Sequence, residues 1–251
     1  MSQPSSPSPI PNLPRLVIQP QQRQAGAIIL TPDQRHYLER VRRFKKGDPF
    51  LVLDGSGSLW RATWQGDQAE IGEELIAPHV ATEISLHLGL AVIKGNGWDD
   101  LIRQLTELGV VQISPLLSQR TQLEPGSHKI ERWRRIAREA SEQCERTRIP
   151  QVADLCSAEF WWQHSQADFK GIAVARAEAP HLLQLLLTHQ DPQPCSLAIA
   201  VGPEGGWTEA EVTMAEQYGW QMISLGSQIL RAVTAPVVVA SWVAGWRRDR
   251  A

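Results

Sequence analysis

Two stretches near the C-terminus decide the fold: Val201-Gly-Pro-Glu-Gly-Gly-Trp-Thr-Glu209 and Leu225-Gly-Ser-Gln-Ile-Leu-Arg-Ala-Val-Thr-Ala235. Each follows a short apolar run, and Ser196–Val201 is almost unbroken, as expected for a strand covered on both faces. Ligands of open α/β sheets bind beyond the C-terminal ends of strands, and glycine lets a ligand approach backbone N–H groups. Two such loops at successive strand ends can form both walls of one pocket.

The first loop, taken alone, also fits a purely structural role. A tight strand-to-helix turn requires glycine, and Glu204 in such a turn is stabilised by the positive end of the helix dipole. A third interpretation is a phosphate-binding α/β enzyme. The absence of a following Lys-Ser/Thr argues against it, and the Gly-x-Gly-x-x-Gly spacing of dinucleotide-binding loops is also missing.

Strand and helix patterns alternate in the chain that leads to these loops. The strands and apolar helix stripes are predicted, in chain order, at Ile84–Ile93, Trp98–Leu108, Val110–Leu117, Trp133–Cys144, Gly171–Ala175 and Pro180–His189. Thr208 and Glu211 predict a capping box for the next helix, and the last helix begins near Thr234 with Pro236 in its first turn. This order predicts an α/β fold with a parallel sheet.

The N-terminal part has a different pattern. Residues 1–14 are rich in Pro and Ser and poor in large apolar groups, which predicts a disordered tail. Residues 15–78 show short strands and turns typical of a small β-barrel, interrupted by a helix that begins at Thr31-Pro32. Because Pro78 lies in a polar stretch, we predict that a second domain covers residues 79–251.

The composition narrows the class of protein. The chain has 251 residues, 42% of them hydrophobic, and a formal net charge of −2, so it has no overall positive field to attract nucleic acid. Cys144, Cys156 and Cys195 lack metal-ligand spacing and favour a reducing compartment. No apolar run approaches the roughly 18 residues of a membrane span. We therefore expect a cytoplasmic protein with neither a membrane segment nor a bound metal.

The paired C-terminal loops resemble those of the ribosomal RNA small-subunit methyltransferase E family, which belongs to the SPOUT superfamily and methylates N3 of a uracil in 16S ribosomal RNA. Further matches extend the resemblance over roughly residues 15–246. They are His36-Tyr-Leu, Val41-Arg-Arg43, Gly47-Asp48, Thr106-Glu-Leu-Gly109, Arg120, Arg132-Trp133, Glu139-Ala-Ser-Glu-Gln143 and Arg146.

The resemblance implies a parallel sheet with helices on both faces and a trefoil knot within about residues 196–246, next to an N-terminal PUA-like barrel that binds RNA. It also implies a homodimer, 16S ribosomal RNA of the small ribosomal subunit as partner, and S-adenosylmethionine as cofactor. The adenine would be held by backbone groups in a flat apolar slot. The cofactor-binding residues predicted in this way are Gly202, Glu204, Gly205, Leu225, Gly226, Ile229, Leu230 and Ala235.

The implied reaction limits the choice of catalytic residues. Uracil N3 carries an imide proton, so a base or a positive electrostatic environment is required. Arg231 is the main candidate for positioning the base or stabilising the developing imidate, and Glu107 and Glu139 are candidate bases. The alternatives are structural: Arg231 pairs with a carboxylate such as Glu204 or Glu139, and the helical glutamates face water or pair with arginines.

The chain departs from the family pattern in the second loop. Members commonly have Arg-x-Leu-Arg-Thr-Glu-Thr-Ala where this chain has Gln228-Ile-Leu-Arg-Ala-Val-Thr-Ala235, and Val233 cannot act as a base. Gln104 also replaces a common lysine. An alternative function is therefore a catalytically weak or silent RNA-binding or ribosome-assembly protein that keeps the fold.

RNA contacts are also predicted from local charge. Basic residues between Arg35 and Lys46 alternate with Tyr37 and Phe44, which fits a phosphate-binding patch with stacking as well as a solvated helix face. A second basic set lies between Arg132 and Arg148 and is partly neutralised by glutamates. The predicted RNA-binding residues are Arg15, His36, Arg40, Arg43, Lys45, Lys46, Arg120 and Arg146. The last helix is apolar over more than one stripe, which is consistent with burial against a partner subunit.

Overall fold

The structure is a computed structural model that describes residues 11–24, 26–75, 84–95, 97–188 and 196–248, excluding the side chains of residues 247 and 248. Most of the predicted tail, the predicted boundary at Pro78, and residues His189 and Cys195 lie outside this range. The described residues divide into two compact units. One contains residues up to 75 together with Ser141–Ile149, and the other contains 84–140 and 150–248.

The first unit is built on a six-stranded sheet that curls into a half-barrel. Its strands are β1 (Arg15–Val17), β2 (Arg23–Gln24), β3 (Ala27–Ile29), β4 (Pro49–Leu53), β5 (Leu59–Trp64) and β6 (Gln68–Leu75). Their order is β1-β4-β5-β6-β3-β2, antiparallel except for the parallel pair β1 and β4. A single 3-10 turn, Pro20–Gln22, precedes β2. The helix α1 (Pro32–His36) continues into a wider turn at Tyr37–Val41. This architecture confirms the predicted small β domain.

Strand β4 shows why this sheet holds its shape. Phe50 and Val52 pack into one buried cluster, and Leu51 and Leu53 pack into a second cluster on the opposite face. All four side chains are fully buried, so alternation along the strand supplies an apolar residue to each side. Helix α1 begins as predicted, because Thr31 accepts a hydrogen bond from the backbone N–H of Gln34 and Pro32 occupies the first turn.

Residues 141–149 belong to the first unit although they follow it by some 65 residues in the chain. The Val17 N–H donates to the Glu142 carboxylate over 2.7 Å, and Arg15 forms a 2.7 Å ion pair with Glu145. The Ile149 N–H also donates to the Gly55 carbonyl. These contacts join positions far apart in the sequence, so no local pattern predicts them.

The second unit is an α/β layer structure whose seven strands are all parallel. The strands are β7 (Ser85–Ala91), β8 (Gln112–Leu117), β9 (Gln151–Val152), β10 (Cys156–Ser157), β11 (Phe169–Ala173), β12 (Ser196–Val201) and β13 (Gln221–Ile223). They follow the order β10-β8-β7-β12-β11-β13, with β9 also paired to β8. The helices are α2 (Gly97–Glu107), α3 (Ser127–Gln143), α4 (Ala158–His164), α5 (Leu182–Thr188), α6 (Glu209–Gln217) and α7 (Thr234–Arg248), and the last three residues of α3 are counted with the first unit.

Helices cover both faces of this sheet, as predicted. On β12, Ala198 and Ala200 belong to a tryptophan-rich cluster that includes Trp162 of α4 and Ala215 of α6. The alternate residues of β12 point to the other side, where α7 packs on β7 and β12 and also touches α2 and α5. Because β12 lies in the centre and is buried on both sides, its apolar run is explained. The predicted trefoil knot stays a prediction.

Candidate active site

Five parallel strands of the second unit end at the same edge of the sheet, and the loops that follow them enclose a cavity of about 890 Å³. The loops after β11, β12 and β13 supply most of its wall, at Ala173–Ala177, Gly202–Glu209 and Leu225–Ala235. Lys94 after β7 and Arg120 after β8 complete the wall. A cavity of this size at this edge is typical of a small-molecule site in an α/β protein.

The glycine loop, Gly202–Trp207, is a tightly packed turn. A Cβ atom at Gly202 would lie 3.2 Å from the indole of Trp207 and 3.3 Å from the carbonyl carbon of Gly206, so a side chain does not fit there without movement. The Gly206 N–H donates to the Pro203 carbonyl over 2.8 Å, and Gly206 has a φ of +67°. The Trp207 ring packs edge-on against Trp162 at 5.3 Å. The packing at Gly202 and the positive φ of Gly206 therefore explain why the turn contains glycine at these two positions.

Two side chains anchor the glycine loop to its neighbours. The Arg120 guanidinium donates to the carbonyl oxygens of Gly205 and Trp207. Glu211, only 4% exposed, accepts from the N–H groups of Thr208 and Gln119, each over 2.8 Å. Glu211 thereby joins the predicted capping box of α6 to the loop that follows β8. These bonds fix the glycine loop before any ligand binds.

The second loop, Leu225–Arg231, is held mainly at its ends. The Gly226 N–H donates to the Ser224 hydroxyl over 3.2 Å, and the Arg231 carbonyl accepts from the N–H groups of Thr234 and Ala235 at the start of α7. Between these points Ile229 is 62% exposed although it lines the cavity. Ile229, with Leu225 and Leu230, therefore forms an apolar surface that faces the cavity.

The charges of the cavity wall have both signs. The basic side chains are Lys94, Arg120, Arg176 and Arg231, and the acidic ones are Glu204, Glu209 and Glu216. The Glu204 carboxylate accepts from the backbone N–H of Lys94, which leaves the Lys94 ammonium group outside that bond. Within the described residues, no ion pair includes Arg231. The wall can thus stabilise an anion that forms in the cavity.

Comparison with known proteins identifies the family. An RNA methyltransferase domain model matches residues 81–244, and an RNA methyltransferase PUA domain model matches residues 30–67. The ribosomal RNA small subunit methyltransferase E of Synechocystis sp. is 41% identical over 91% of this chain and 76% of its own. This chain belongs to the ribosomal RNA small subunit methyltransferase E family.

Two further members support the assignment. The Bacillus subtilis enzyme of the same name is 28% identical over 87% of this chain and 90% of its own. The crystal structure of the Neisseria gonorrhoeae enzyme, bound to S-adenosyl methionine, is 25% identical, with a TM-score of 0.77 over 92% of this chain and 96% of that one. The family resemblance inferred from the sequence is confirmed.

The family motif residues of the two loops meet in one place. All eight predicted cofactor residues line the cavity, namely Gly202, Glu204, Gly205, Leu225, Gly226, Ile229, Leu230 and Ala235. Arg231 and Arg120 lie in the same wall. The two glycine loops, which are about 20 residues apart in the chain, therefore form opposite parts of a single pocket.

The two predicted bases lie elsewhere. Glu107, at the end of α2, is exposed and is not part of the cavity wall. Glu139 is 62% exposed on α3, with its carboxylate 3.7 Å from Arg135. The structure thus does not bring either glutamate into the cavity that holds Arg231. Ala232 and Val233 do line the cavity, and neither can accept a proton.

The predicted RNA-binding residues fall into separate groups. Arg15 is only 8% exposed and forms its ion pair with Glu145 inside the first unit, whereas Arg146, in the same unit, is half-buried. Arg120 is committed to the glycine loop. The residues that keep exposed positions are His36 at the end of α1, Arg40 in the Tyr37–Val41 turn, and Arg43, Lys45 and Lys46 after it.

Much of the second basic set is neutralised. Arg132 bonds to Asp99, which raises the pKa of Arg132, and a hydrogen bond to Asp154 raises the pKa of Arg134.

Burial raises the pKa of the Cys156 thiol, so this cysteine is a weak nucleophile near neutral pH. Across the described part of the chain there is no group of three metal-ligating side chains, and no helix combines the length and apolar character needed to cross a membrane.

Several wall residues escaped the sequence reasoning. Lys94 follows β7 and Arg176 follows β11, and both positions could have been found by treating the end of every parallel strand as part of the site. Gly97 has a different signal: a Cβ there would lie 2.9 Å from Val233, so the start of α2 is packed against the short segment between the second loop and α7. A glycine before a helix at that strand end is visible in the sequence, but its partner is not.

Proposed function

We propose that this protein transfers the methyl group of S-adenosylmethionine to N3 of a uridine in 16S ribosomal RNA. The observation that carries the proposal is the convergence of all eight predicted cofactor residues on one cavity at the carboxyl edge of the parallel sheet. Membership of the small subunit methyltransferase E family supplies the class of substrate. The N-terminal PUA unit, with its exposed basic residues, supports binding of the RNA.

The cavity suits S-adenosylmethionine on physical grounds. Its volume of about 890 Å³ lies within the range of small-molecule sites. Leu225, Ile229 and Leu230 offer an apolar surface for the adenine, and the backbone of Gly226 is accessible because this residue has no side chain. A sulfonium carries positive charge, and the nearby carboxylates of the wall balance it.

The chain's own residues provide the electrostatic part of the reaction. When bound, S-adenosylmethionine supplies an electrophilic methyl group. The N3–H of uracil must lose its proton as N3 attacks, and negative charge spreads onto the ring carbonyl oxygens. Arg231 can stabilise this charge, because its side chain is exposed in the cavity wall. Its position is fixed by its carbonyl, which accepts hydrogen bonds at the start of α7. Glu107 and Glu139 remain proposed bases. Because neither lies in this cavity, each could accept the proton only if another component of the reacting complex brought the uracil to it.

Labelled methyl transfer tests the function directly. Purified protein, labelled S-adenosylmethionine and small ribosomal subunits or naked 16S RNA should give labelled RNA, and mass mapping should locate the methyl group on N3 of one uridine. Calorimetry should show binding of S-adenosylmethionine and S-adenosylhomocysteine. RNA binding without methyl transfer would favour the alternative of a silent assembly protein, which Ala232 and Val233 in the cavity wall would explain.

We also propose that the protein acts as a cytoplasmic homodimer. Val239, Ala240 and Val243 of α7 are buried within the chain itself, whereas Val237, Val238 and Trp242 are only half-buried. The half-buried stripe is the part of α7 left for a partner subunit. Light scattering coupled to size-exclusion chromatography should give twice the chain mass, and a monomer at micromolar concentration would exclude the dimer.

A further inference from the structure

A second cavity of about 580 Å³ lies next to the cofactor cavity. Four residues line both cavities: Lys94, Arg120, Glu204 and Gly205. The residues that line only the second one are Gln119, Thr121 and Gln122, in the loop after β8. We call it the side cavity. Apart from Gly205, every residue that lines it has a polar or charged side chain.

Hydrogen bonds within the protein hold much of the wall of the side cavity in place before a ligand binds. Ser118 and Thr121 close a turn in which the Thr121 N–H donates to the Ser118 carbonyl and the Ser118 N–H donates to the Thr121 hydroxyl, each over 3.0 Å. The Gln119 N–H is held by buried Glu211, and Arg120 bonds to the Gly205 carbonyl. The two cavities therefore adjoin at the four residues that line both, which we call the shared partition, and hydrogen bonds hold part of its backbone in place. Fixed neighbouring sites favour transfer of a group between two bound molecules.

Two side chains at the side cavity have no hydrogen bond or ion pair among the described residues. They are the ammonium group of Lys94, in the shared partition, and the amide of Gln122, in the outer wall. Lys94 offers a cation with three N–H donors, and Gln122 offers both a donor and an acceptor. These groups match the carbonyl oxygens of an imide ring.

We propose that the side cavity receives the acceptor base, a uracil turned out of the RNA, and that Lys94 is a catalytic residue for methyl transfer. This inference rests on the proposed function. An enzyme that modifies the Watson–Crick edge of a base must take the base out of its pair and present that edge to the reagent. Gln122 donates to one ring carbonyl and orients the base, while Lys94 contacts the carbonyl nearest the partition.

The reaction balances with the groups named. The bond from N3 to the methyl carbon forms as the bond from sulfur to that carbon breaks, and the electron pair of the broken bond stays on sulfur. The product of the methyl donor is neutral S-adenosylhomocysteine, and the imide proton leaves to water. Lys94 keeps its own proton and lowers the energy of the imidate by holding a positive charge at its oxygen.

Substitutions at the two positions give separable results. We expect Lys94→Ala to lower kcat by about 100-fold, the typical cost of removing one oxyanion donor, while the Kd for S-adenosylmethionine changes less than about twofold. Lys94→Arg, which keeps the charge, should recover most of the loss. Gln122→Ala should raise the KM for RNA by about tenfold with kcat nearly unchanged. Lys129→Ala and Gln104→Ala, at positions outside both cavities, are the matched controls.

Turnover like that of the wild type in both Lys94→Ala and Gln122→Ala would overturn the proposal. A loss in Lys94→Ala that is matched by an equal loss of cofactor affinity would overturn it as well, because Lys94 would then be a cofactor ligand. Absence of methyl transfer by the wild-type protein would instead contradict the proposed function.

A binding experiment decides the occupant of the side cavity without any turnover. 16S RNA containing 4-thiouridine is irradiated with the protein and S-adenosylhomocysteine, and crosslinked peptides are identified by mass spectrometry. Peptides that contain Lys94 or residues 119–122 are expected. Crosslinks confined to other peptides would show that the base binds elsewhere.

Discussion

The two glycine loops of the cavity differ in how the protein holds them. The first loop, Gly202–Trp207, is tied at its middle by Arg120 and at its end by the Thr208–Glu211 capping box. The second loop, Leu225–Arg231, has hydrogen bonds only at its two ends within the described residues, and its apolar Ile229 faces the cavity with 62% of its surface exposed.

This difference separates two tasks within one site. A loop fixed by several bonds presents its backbone in the same place with or without a ligand, so little ordering entropy is lost on binding. A loop with exposed apolar side chains gains its contacts only when a ligand covers them. We therefore expect the first loop to set the geometry of the cavity and the second loop to supply much of the cofactor affinity.

The largest effect is expected from Gly226→Val in the second loop. Gly226 has a φ of +116°, a conformation that valine does not adopt, and the position of a Cβ there is open apart from His181 at 3.9 Å. The loop must then take another path while the fold survives. Calorimetry should detect no binding of S-adenosylmethionine up to millimolar concentration, with a melting temperature close to that of the wild type.

Gly206→Ala in the first loop is the matched control for that experiment. Gly206 has a φ of +67°, within the left-handed region that other residues reach at a cost of about 1–2 kcal/mol, and no atom lies within 4 Å of its added Cβ. We expect cofactor affinity to fall by less than tenfold. Equal loss of binding in both variants would contradict the division of tasks between the loops.

The next largest effect is expected from Arg231→Ala, measured as turnover. The carbonyl of Arg231 caps α7 and is unaffected by the change, so the second loop keeps its end point. Removal of the guanidinium takes away one source of positive charge for the imidate, and kcat should fall by about 100-fold. Cofactor affinity should change less than threefold. A parallel fall of affinity and kcat would place the side chain on the cofactor instead.

The sequence predicted the parts of the fold that local pattern controls. The apolar run of β12, the Thr208–Glu211 capping box and the start of α7 at Thr234 all appear where their signals lie. The pattern missed β6, whose residues Gln68–Leu75 carry three glutamates and are largely exposed although the strand lies between β5 and β3. It also missed the two-residue strands β9 and β10. Strands β9 and β10 form because β8 offers partners to their backbones, and β8 is distant from them in the chain. Strand β6 directly follows its partner β5, but its exposed, glutamate-rich sequence has no apolar strand pattern.

The site shows the same limit. The family resemblance supplied residues of the two loops, because their glycines and apolar side chains are adjacent in the chain. Lys94, Arg176 and the side cavity became visible only when parallel strands placed the ends of β7, β8 and β11 beside those loops. Which strand ends meet depends on the strand order, and strand order is a property of the whole domain.

A smaller effect is expected from Arg120→Ala, which loosens the first loop. The variant loses the hydrogen bonds to the Gly205 and Trp207 carbonyls. A charge-assisted bond at an exposed site contributes on the order of 1 kcal/mol, so S-adenosylmethionine should bind about five- to tenfold more weakly. Arg103→Ala, which removes an exposed arginine paired with Asp100 on α2, is the control. Wild-type affinity in Arg120→Ala would show that the loop needs no anchor from β8.

The smallest effect is expected from Thr208→Ala, which removes the cap of α6 but not the loop itself. The Thr208 hydroxyl accepts from the Glu211 N–H over 3.2 Å, and its loss should cost about 1 kcal/mol and lower Tm by roughly 2–4 °C. Glu211 keeps the two backbone N–H groups that tie it to Thr208 and Gln119, so cofactor affinity should change less than twofold. Thr213→Ala, at an exposed position within the same helix, should leave Tm unchanged or slightly higher, because alanine favours a helix interior. If Thr208→Ala weakened the cofactor more than Arg120→Ala does, the end of the first loop, and not its middle, would be the anchor that matters.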